Sequence, residues 1–309
     1  GSPDMTRKVT LSPEAQALFD TMTNAGIEIP TPNNILQYRQ DMINGSAADI
    51  EQEVARFEGD IEDLEIASVK CRQITPVNWD PDQGPCIQYA YGGGYVSGSV
   101  QEDQIITLPL AAMASTRIVM VDYRLSPEHP YPAPEQDMQT VYRELIDFYG
   151  TQRLIVSGES AGGHQALSVM QYACNQGLAL PACAVLFSPW VDLTNQGDSH
   201  QFNDQRDPTL NNAWVDSAAA MHAAGVDLAD PGISPINADV AGLPPCLITT
   251  GSCDLLLSQC LRLADKLQSA NVSCDLRVWE GMWHVFEFYT IPEARQSLQQ
   301  VADFIRRHI

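Results

Sequence analysis

The chain has 309 residues, with 39 Asp plus Glu against 17 Lys plus Arg, a net charge of −22 and a pI near 4.4. So acidic a surface repels phosphate, which excludes nucleic acid and anionic membranes as partners. With 44% hydrophobic and 18% charged residues it is a folded globular chain, long enough for two domains or one large α/β domain with an insertion.

Gly1-Ser-Pro-Asp4 ahead of Met5 reads as an expression-tag remnant. No signal core and no membrane-length apolar run is present, so the expectation is a soluble, cytoplasmic protein. The eight cysteines are scattered without a C-x-x-C pair, which predicts reduced thiols rather than a zinc site or a disulfide framework.

Ser12-Pro13-Glu14 is a helix start, and Leu18, Phe19 and Met22 form its apolar stripe. Two short helices are expected at 31–43 and 49–57, making residues 5–58 a small helical region. Strands follow at 61–69, 71–75 and 86–90. From there strand and helix alternate: strand 117–121, helix 135–148, strand 154–156, helix 161–172, strand 184–187. Residues 192–230 interrupt this rhythm with polar loop and one helical piece at 212–224. It then resumes as strand 246–250, helix 255–269, strand 274–279 and helix 293–307. The alternation implies a parallel sheet with helices on both faces, and the interruption reads as an insertion over the site.

Three features carry chemistry. Gly158-Glu-Ser160-Ala-Gly162 sits between a strand and a helix; a serine on so tight a turn needs small residues two positions either side, and the helix N-terminus favours negative charge at Oγ. Tyr91-Gly-Gly-Gly94 directly follows a strand, and its glycines let backbone N–H groups face a cavity, as an oxyanion requires. Of six histidines, His284 alone lies on a loop at the carboxyl end of a late strand; His129, His164, His200, His222 and His308 read as structural or surface residues. Asp254, one strand earlier, is the candidate partner acid. Asp227, Asp230 and Asp239 are rivals in polar loop sequence, where turn formation is the default. The chain order Ser160, Asp254, His284 is that of an α/β-hydrolase.

Together with Asp122-Tyr-Arg-Leu-Ser-Pro-Glu-His-Pro-Tyr-Pro-Ala133, Gly281-Met-Trp-His-Val-Phe286 and, more weakly, Ser188-Pro-Trp-Val-Asp-Leu193, these segments make the chain resemble the hormone-sensitive-lipase-like esterases. The resemblance implies an α/β-hydrolase fold: a mostly parallel eight-stranded sheet with helices on both faces and a helical cap. Residues 59–191 and 231–309 would form the core, 5–58 and 192–230 the cap. It further implies Ser160 as nucleophile, His284 as base and later acid, Asp254 as its orienting partner, and the N–H groups of Gly92, Gly93 and Ala161 as the oxyanion hole. Arg124 and Glu128 are expected to brace the loop 123–134 as an ion pair. Two residues depart from the family pattern: Tyr91 stands where it has His before the glycines, and Glu159 where it has Asp before the nucleophile.

The leading expectation is a serine carboxylesterase acting on small to medium neutral acyl esters through an acyl-enzyme. Tyr91, Tyr95, Trp214 and Met221 are the candidate substrate contacts. The departure at Tyr91 motivates a second reading, in which the same residues serve cyclisation, acyl transfer or elimination on a specialised metabolite; a third is a non-catalytic receptor. No metal or other cofactor is indicated. The partners implied are a small-molecule ester and, as an open alternative, a second copy of the chain in a homodimer.

Overall fold

The computed structural model describes residues 11–22 and 24–309; the remnant read at residues 1–4 lies outside them. Helix α1 (Pro13–Thr21) begins as expected: Ser12 Oγ accepts the N–H of Ala15 at 3.1 Å, with Pro in the first turn. Ser12 Oγ also donates to Glu293 at 2.6 Å, which docks this helix on the C-terminal one.

The two short helices expected next are one, α2 (Ile35–Arg56). Gly45, at the expected break, costs only about 1 kcal/mol inside a helix, and the Ser46 hydroxyl donates to the Met42 carbonyl at 3.0 Å. Arg39 on this helix pairs with Glu128 at 2.6 Å, and Glu53 near its other end with Arg295 at 3.1 Å. The expected Arg124–Glu128 pair is thus replaced by two others, since Arg124 reaches Asp137 at 3.0 Å. A partner from another element was available to each, and neighbours on a loop need not face one another.

Strands β1 (Gly59–Ile66) and β2 (Val69–Pro76) form a hairpin turned by Ala67 and Ser68, both at positive φ, the conformation a two-residue hairpin turn requires. After β3 (Cys86–Ala90) comes α3 (Gln104–Ala114), which the sequence reading left out. It is buried nearly all round and holds Pro109, so it shows no amphipathic period and contains an apparent breaker. There follow β4 (Arg117–Val121), α4 (Ala133–Tyr149), β5 (Leu154–Glu159), α5 (Ala161–Asn175) and β6 (Cys183–Phe187). Next are α6 (Ser199–Phe202), α7 (Asn212–Ala223), β7 (Cys246–Gly251), α8 (Leu257–Ser269), β8 (Cys274–Trp279) and α9 (Pro292–His308).

The sheet runs β1-β2-β4-β3-β5-β6-β7-β8, antiparallel at β1–β2 and β2–β4 and parallel thereafter. Helix α3 packs on α9 and α4 on α5 in the layers that cover it. Strands β3, β5, β6 and β7 are buried along their whole length, which is why they read as apolar runs without alternation. The chain leaves β3 for β4 on one side and reaches β5 on the other, so a crevice opens beyond the carboxyl ends of β3 and β5. The triple glycine and Ser160 both lie there.

The stretch between β6 and β7 meets the N-terminal helices. Trp214 on α7 donates to the Tyr38 hydroxyl of α2 at 2.9 Å, and Asn24 donates to the Leu210 carbonyl at 3.2 Å. All eight cysteines are free thiols. No helix among the described residues is long and apolar enough to cross a membrane.

Candidate active site

Ser160 is the residue on which β5 turns into α5, at φ 56° and ψ −116°. That conformation is costly for a side-chain-bearing residue and persists only where the surroundings enforce it. They do so through close approach: a Cβ at Gly158 would fall on the Gly162 carbonyl oxygen, and one at Gly162 on the carbonyl of Ala90 in β3. The Ser160 N–H is tied to Phe187 of the neighbouring strand at 2.9 Å.

Parallel pairing of β7 with β8 brings the next two residues to the same edge. Ser160 Oγ lies 2.9 Å from His284 Nε2, and His284 Nδ1 lies 2.9 Å from Asp254 Oδ1. Asp254 is fully buried and accepts from the Thr250 hydroxyl at 2.8 Å and the Leu256 N–H at 2.9 Å. Burial works to raise its pKa, but the charge and hydrogen bond of His284, with the hydrogen bond from the Leu256 N–H, hold it below the ordinary range. For His284, burial works downward and is outweighed by the charge and hydrogen bond of Asp254, then by Asp207 and Glu159, so its pKa is raised.

The glycine loop departs from expectation at one position. The Gly92 N–H donates to Glu159 Oε2 at 2.8 Å and is therefore spent on holding the loop. Among the described residues the N–H groups of Gly93 and Ala161 have no protein acceptor. Glu159 is anchored in turn by the Tyr89 hydroxyl at 2.8 Å. Tyr91 braces the loop from behind: its ring stacks on Tyr123 with centroids 4.3 Å apart, and each phenol donates to the other residue's carbonyl.

These residues open onto a cavity of about 190 Å³. Ser160, His284 and Gly93 line it together with Tyr38, Leu210 and Trp214.

A family model for the alpha/beta hydrolase fold matches residues 87–288. An acetyl-hydrolase of Streptomyces hygroscopicus is 33% identical over 227 residues, 72% of this chain and 76% of its own length. An esterase of Acinetobacter venetianus is 32% identical over 223 residues, 71% and 73% of the two chains. The crystal structure of a hormone-sensitive lipase from a metagenome library superposes with a TM-score of 0.86 at 31% identity, over 97% of this chain and 99% of that one. The chain belongs to the hormone-sensitive-lipase-like esterases of the α/β-hydrolase family. It is a carboxylic-ester hydrolase.

Of the four substrate contacts expected for this esterase, Trp214 alone lines the cavity. Tyr91 is buried against Tyr123 behind the loop. Tyr95, at φ 65°, turns back into the core, where its hydroxyl meets His164 and its ring stacks on His222. Met221 lies two turns along α7 from Trp214 and is buried in the core. Asp227, Asp230 and Asp239 each accept the N–H two residues on, as turn-forming aspartates do.

Sequence reasoning missed Tyr38 as a wall residue and Asp207 beside His284. Neither lies in a motif, and no local signal marks either one. Asp103, packed against Glu159, escaped notice too; burial first, then the Glu159 charge, pushes it well above the ordinary aspartate range.

Proposed function

We propose that the protein hydrolyses short neutral acyl esters with Ser160 as nucleophile, His284 as general base and then acid, and Asp254 as the group that orients the imidazole. The observation that carries the reading is the unbroken line Ser160–His284–Asp254, two contacts of 2.9 Å whose Ser160 and His284 line the cavity. Ser160 Oγ attacks the ester carbonyl while its proton passes to His284 Nε2. The tetrahedral oxyanion is held by the N–H groups of Gly93 and Ala161, each worth roughly 10²–10³ in rate. The C–O bond then breaks, the alkoxide takes the His284 proton, and water repeats the sequence on the acyl-enzyme.

The described part of residues 5–58 and residues 192–230 act as a two-part cap over a core of 59–191 and 231–309, an assignment supported by the Trp214–Tyr38 hydrogen bond that joins the two segments at the cavity wall. At about 190 Å³ the cavity is smaller than the roughly 300–1,000 Å³ of drug-sized sites, which favours short acyl groups. The described lining residues include no Lys or Arg, and Glu102, Asp103 and Glu159 among them give an anion no favourable partner, which disfavours anionic substrates. Eight free thiols suit a reducing, cytoplasmic setting. The stacking of Tyr91 on Tyr123 accounts for the departure at that position without a different chemistry.

Ser160→Ala is the test. Turnover of p-nitrophenyl acetate is expected to fall at least 10³-fold to a residue left by binding and the oxyanion donors; turnover within tenfold of the unaltered protein would overturn the reading.

A further inference from the structure

Asp207 lies between α6 and α7, far in sequence from every motif, and is fully buried. Its Oδ1 accepts the N–H and hydroxyl of Thr209 at 2.9 and 2.8 Å. Its Oδ2 accepts the N–H of Leu255 at 2.9 Å and, more loosely, the N–H of His284 at 3.3 Å. Leu255 directly follows Asp254, so one oxygen spans the loop of the acid and the loop of the base. Asn203 tightens the same junction: its Nδ2 donates to the carbonyls of Ser252 at 3.0 Å and Asp254 at 2.8 Å, and its own carbonyl accepts the Asp207 N–H at 3.0 Å. On the far side Asn24 donates to the Asp207 carbonyl at 2.5 Å, and Thr209 and Leu210 line the cavity.

We infer that Asp207 is a positioning residue of the hydrolysis: through Oδ2 it holds Asp254 and His284 in register, and it sets a second negative charge beside the imidazole. The inference rests on the roles proposed above for Ser160, His284 and Asp254. Four donors converge on the Asp207 carboxylate, so an amide in its place would turn its NH₂ toward two of them. Keeping a carboxylate there costs free energy, since it is out of water and beside another carboxylate. Burial first, then the Asp254 charge, pushes it up to about 6. The return comes when His284 takes the Ser160 proton, because Asp207 then adds its charge to that of Asp254 in stabilising the imidazolium. The charged groups facing His284 are Asp254 after β7, Asp207 before α7 and Glu159 at the end of β5. Those facing Asp207 are Asp254 and His284, with the Tyr289 phenol beside it.

The test is kcat and KM for p-nitrophenyl acetate across pH in Asp207→Asn and Asp207→Glu, with folded fraction followed by near-UV circular dichroism and Ser160→Ala as control. Asp207→Asn is expected to lower kcat about 10–100-fold, the range for a small displacement of a reacting group, with KM changed by less than about threefold. It also moves the acid limb of kcat/KM to lower pH, because loss of a neighbouring negative charge makes His284 easier to deprotonate. Asp207→Glu keeps the charge, so its limb stays in place while kcat falls, the longer side chain misplacing the carboxylate oxygens. A folded Asp207→Asn with unchanged kcat and limb overturns the inference; so does a kcat loss that matches the loss of folded protein with the limb unmoved. Should Asp207→Asn not fold, Asp207→Glu decides: a kcat like that of the unaltered protein overturns the inference. Turnover retained by Ser160→Ala removes the underlying reading instead, whereas an inactive Ser160→Ala beside an unaffected Asp207→Asn removes the role of Asp207 alone.

Discussion

On the sheet side of the cavity, position follows from backbone sterics: no side chain fits at Gly158 or Gly162, and Ser160 is held at a φ of 56° between them. On the helical side, Tyr38, Leu210 and Trp214 come from segments remote in sequence and are held by side-chain contacts such as the 2.9 Å Trp214–Tyr38 hydrogen bond. A wall fixed by the backbone tolerates almost no substitution, while a wall fixed by side chains can be rebuilt one residue at a time. The first therefore suits chemistry that must not vary, and the second suits the fit of whatever ester is presented.

Substitutions on each side should separate the two. Gly162→Val places carbon on the Ala90 carbonyl; it is expected to abolish turnover and to cost about 3 kcal/mol of stability, read by ester assay and thermal melting. Asp254→Asn leaves the fold largely intact and is expected to lower kcat by 10³–10⁴-fold, on the precedent of other Ser-His-Asp sites; a loss under tenfold would move the orienting role elsewhere.

The pH profile probes the same side without mutation. Only the neutral imidazole accepts the Ser160 proton, so kcat/KM falls about tenfold per unit below the His284 pKa. Because that pKa is raised, the midpoint is expected above the ordinary value of about 6.5, and a midpoint below it would contradict the electrostatics of the site. Glu159→Gln, with one acceptor oxygen for two donors, gives up either Gly92 or Tyr89; a kcat loss of about tenfold with little change in KM is expected. The mildest change is Trp214→Ala on the helical side: acetyl ester turnover stays within about threefold, while esters of longer acyl chains gain as the wall recedes. A panel of p-nitrophenyl esters from acetate upward reads this directly.

What could be read before the structure was whatever local backbone geometry dictates. The glycines around Ser160, the triple glycine after β3 and the order of Ser160, Asp254 and His284 are local or ordinal facts, and the sequence carries both kinds. Hidden were facts that depend on which distant groups meet. Gly92 was expected to face an oxyanion, but its N–H is taken by Glu159, and nothing along the chain shows that these two touch. Tyr95 adjoins the glycine loop yet points into the core, because a positive φ reverses the chain there. Helix α3 was missed for the opposite reason: it is buried on nearly every side, so the contrast between faces that reveals a helix is absent. The charged residues of loop 123–134 were legible as ion-pair formers, but their partners, Arg39 and Asp137, lie on α2 and α4.

The unbroken helix α2 has a mechanical meaning. At 1.5 Å per residue its 22 residues make a strut about 33 Å long. It is pinned near one end by Arg39 to Glu128 and near the other by Glu53 to Arg295. Two shorter helices joined at Gly45 would let the wall over Ser160 flap about a hinge. A single strut has no such hinge, so Tyr38 and Met42, which line the cavity from one face of it, keep their place relative to each other. Both pairs are partly exposed and weakened by salt, but Arg39 also donates to the carbonyls of Val96 at 2.7 Å and Ser126 at 2.9 Å, so the end of the strut beside the cavity keeps its anchor when the ion pairs are screened.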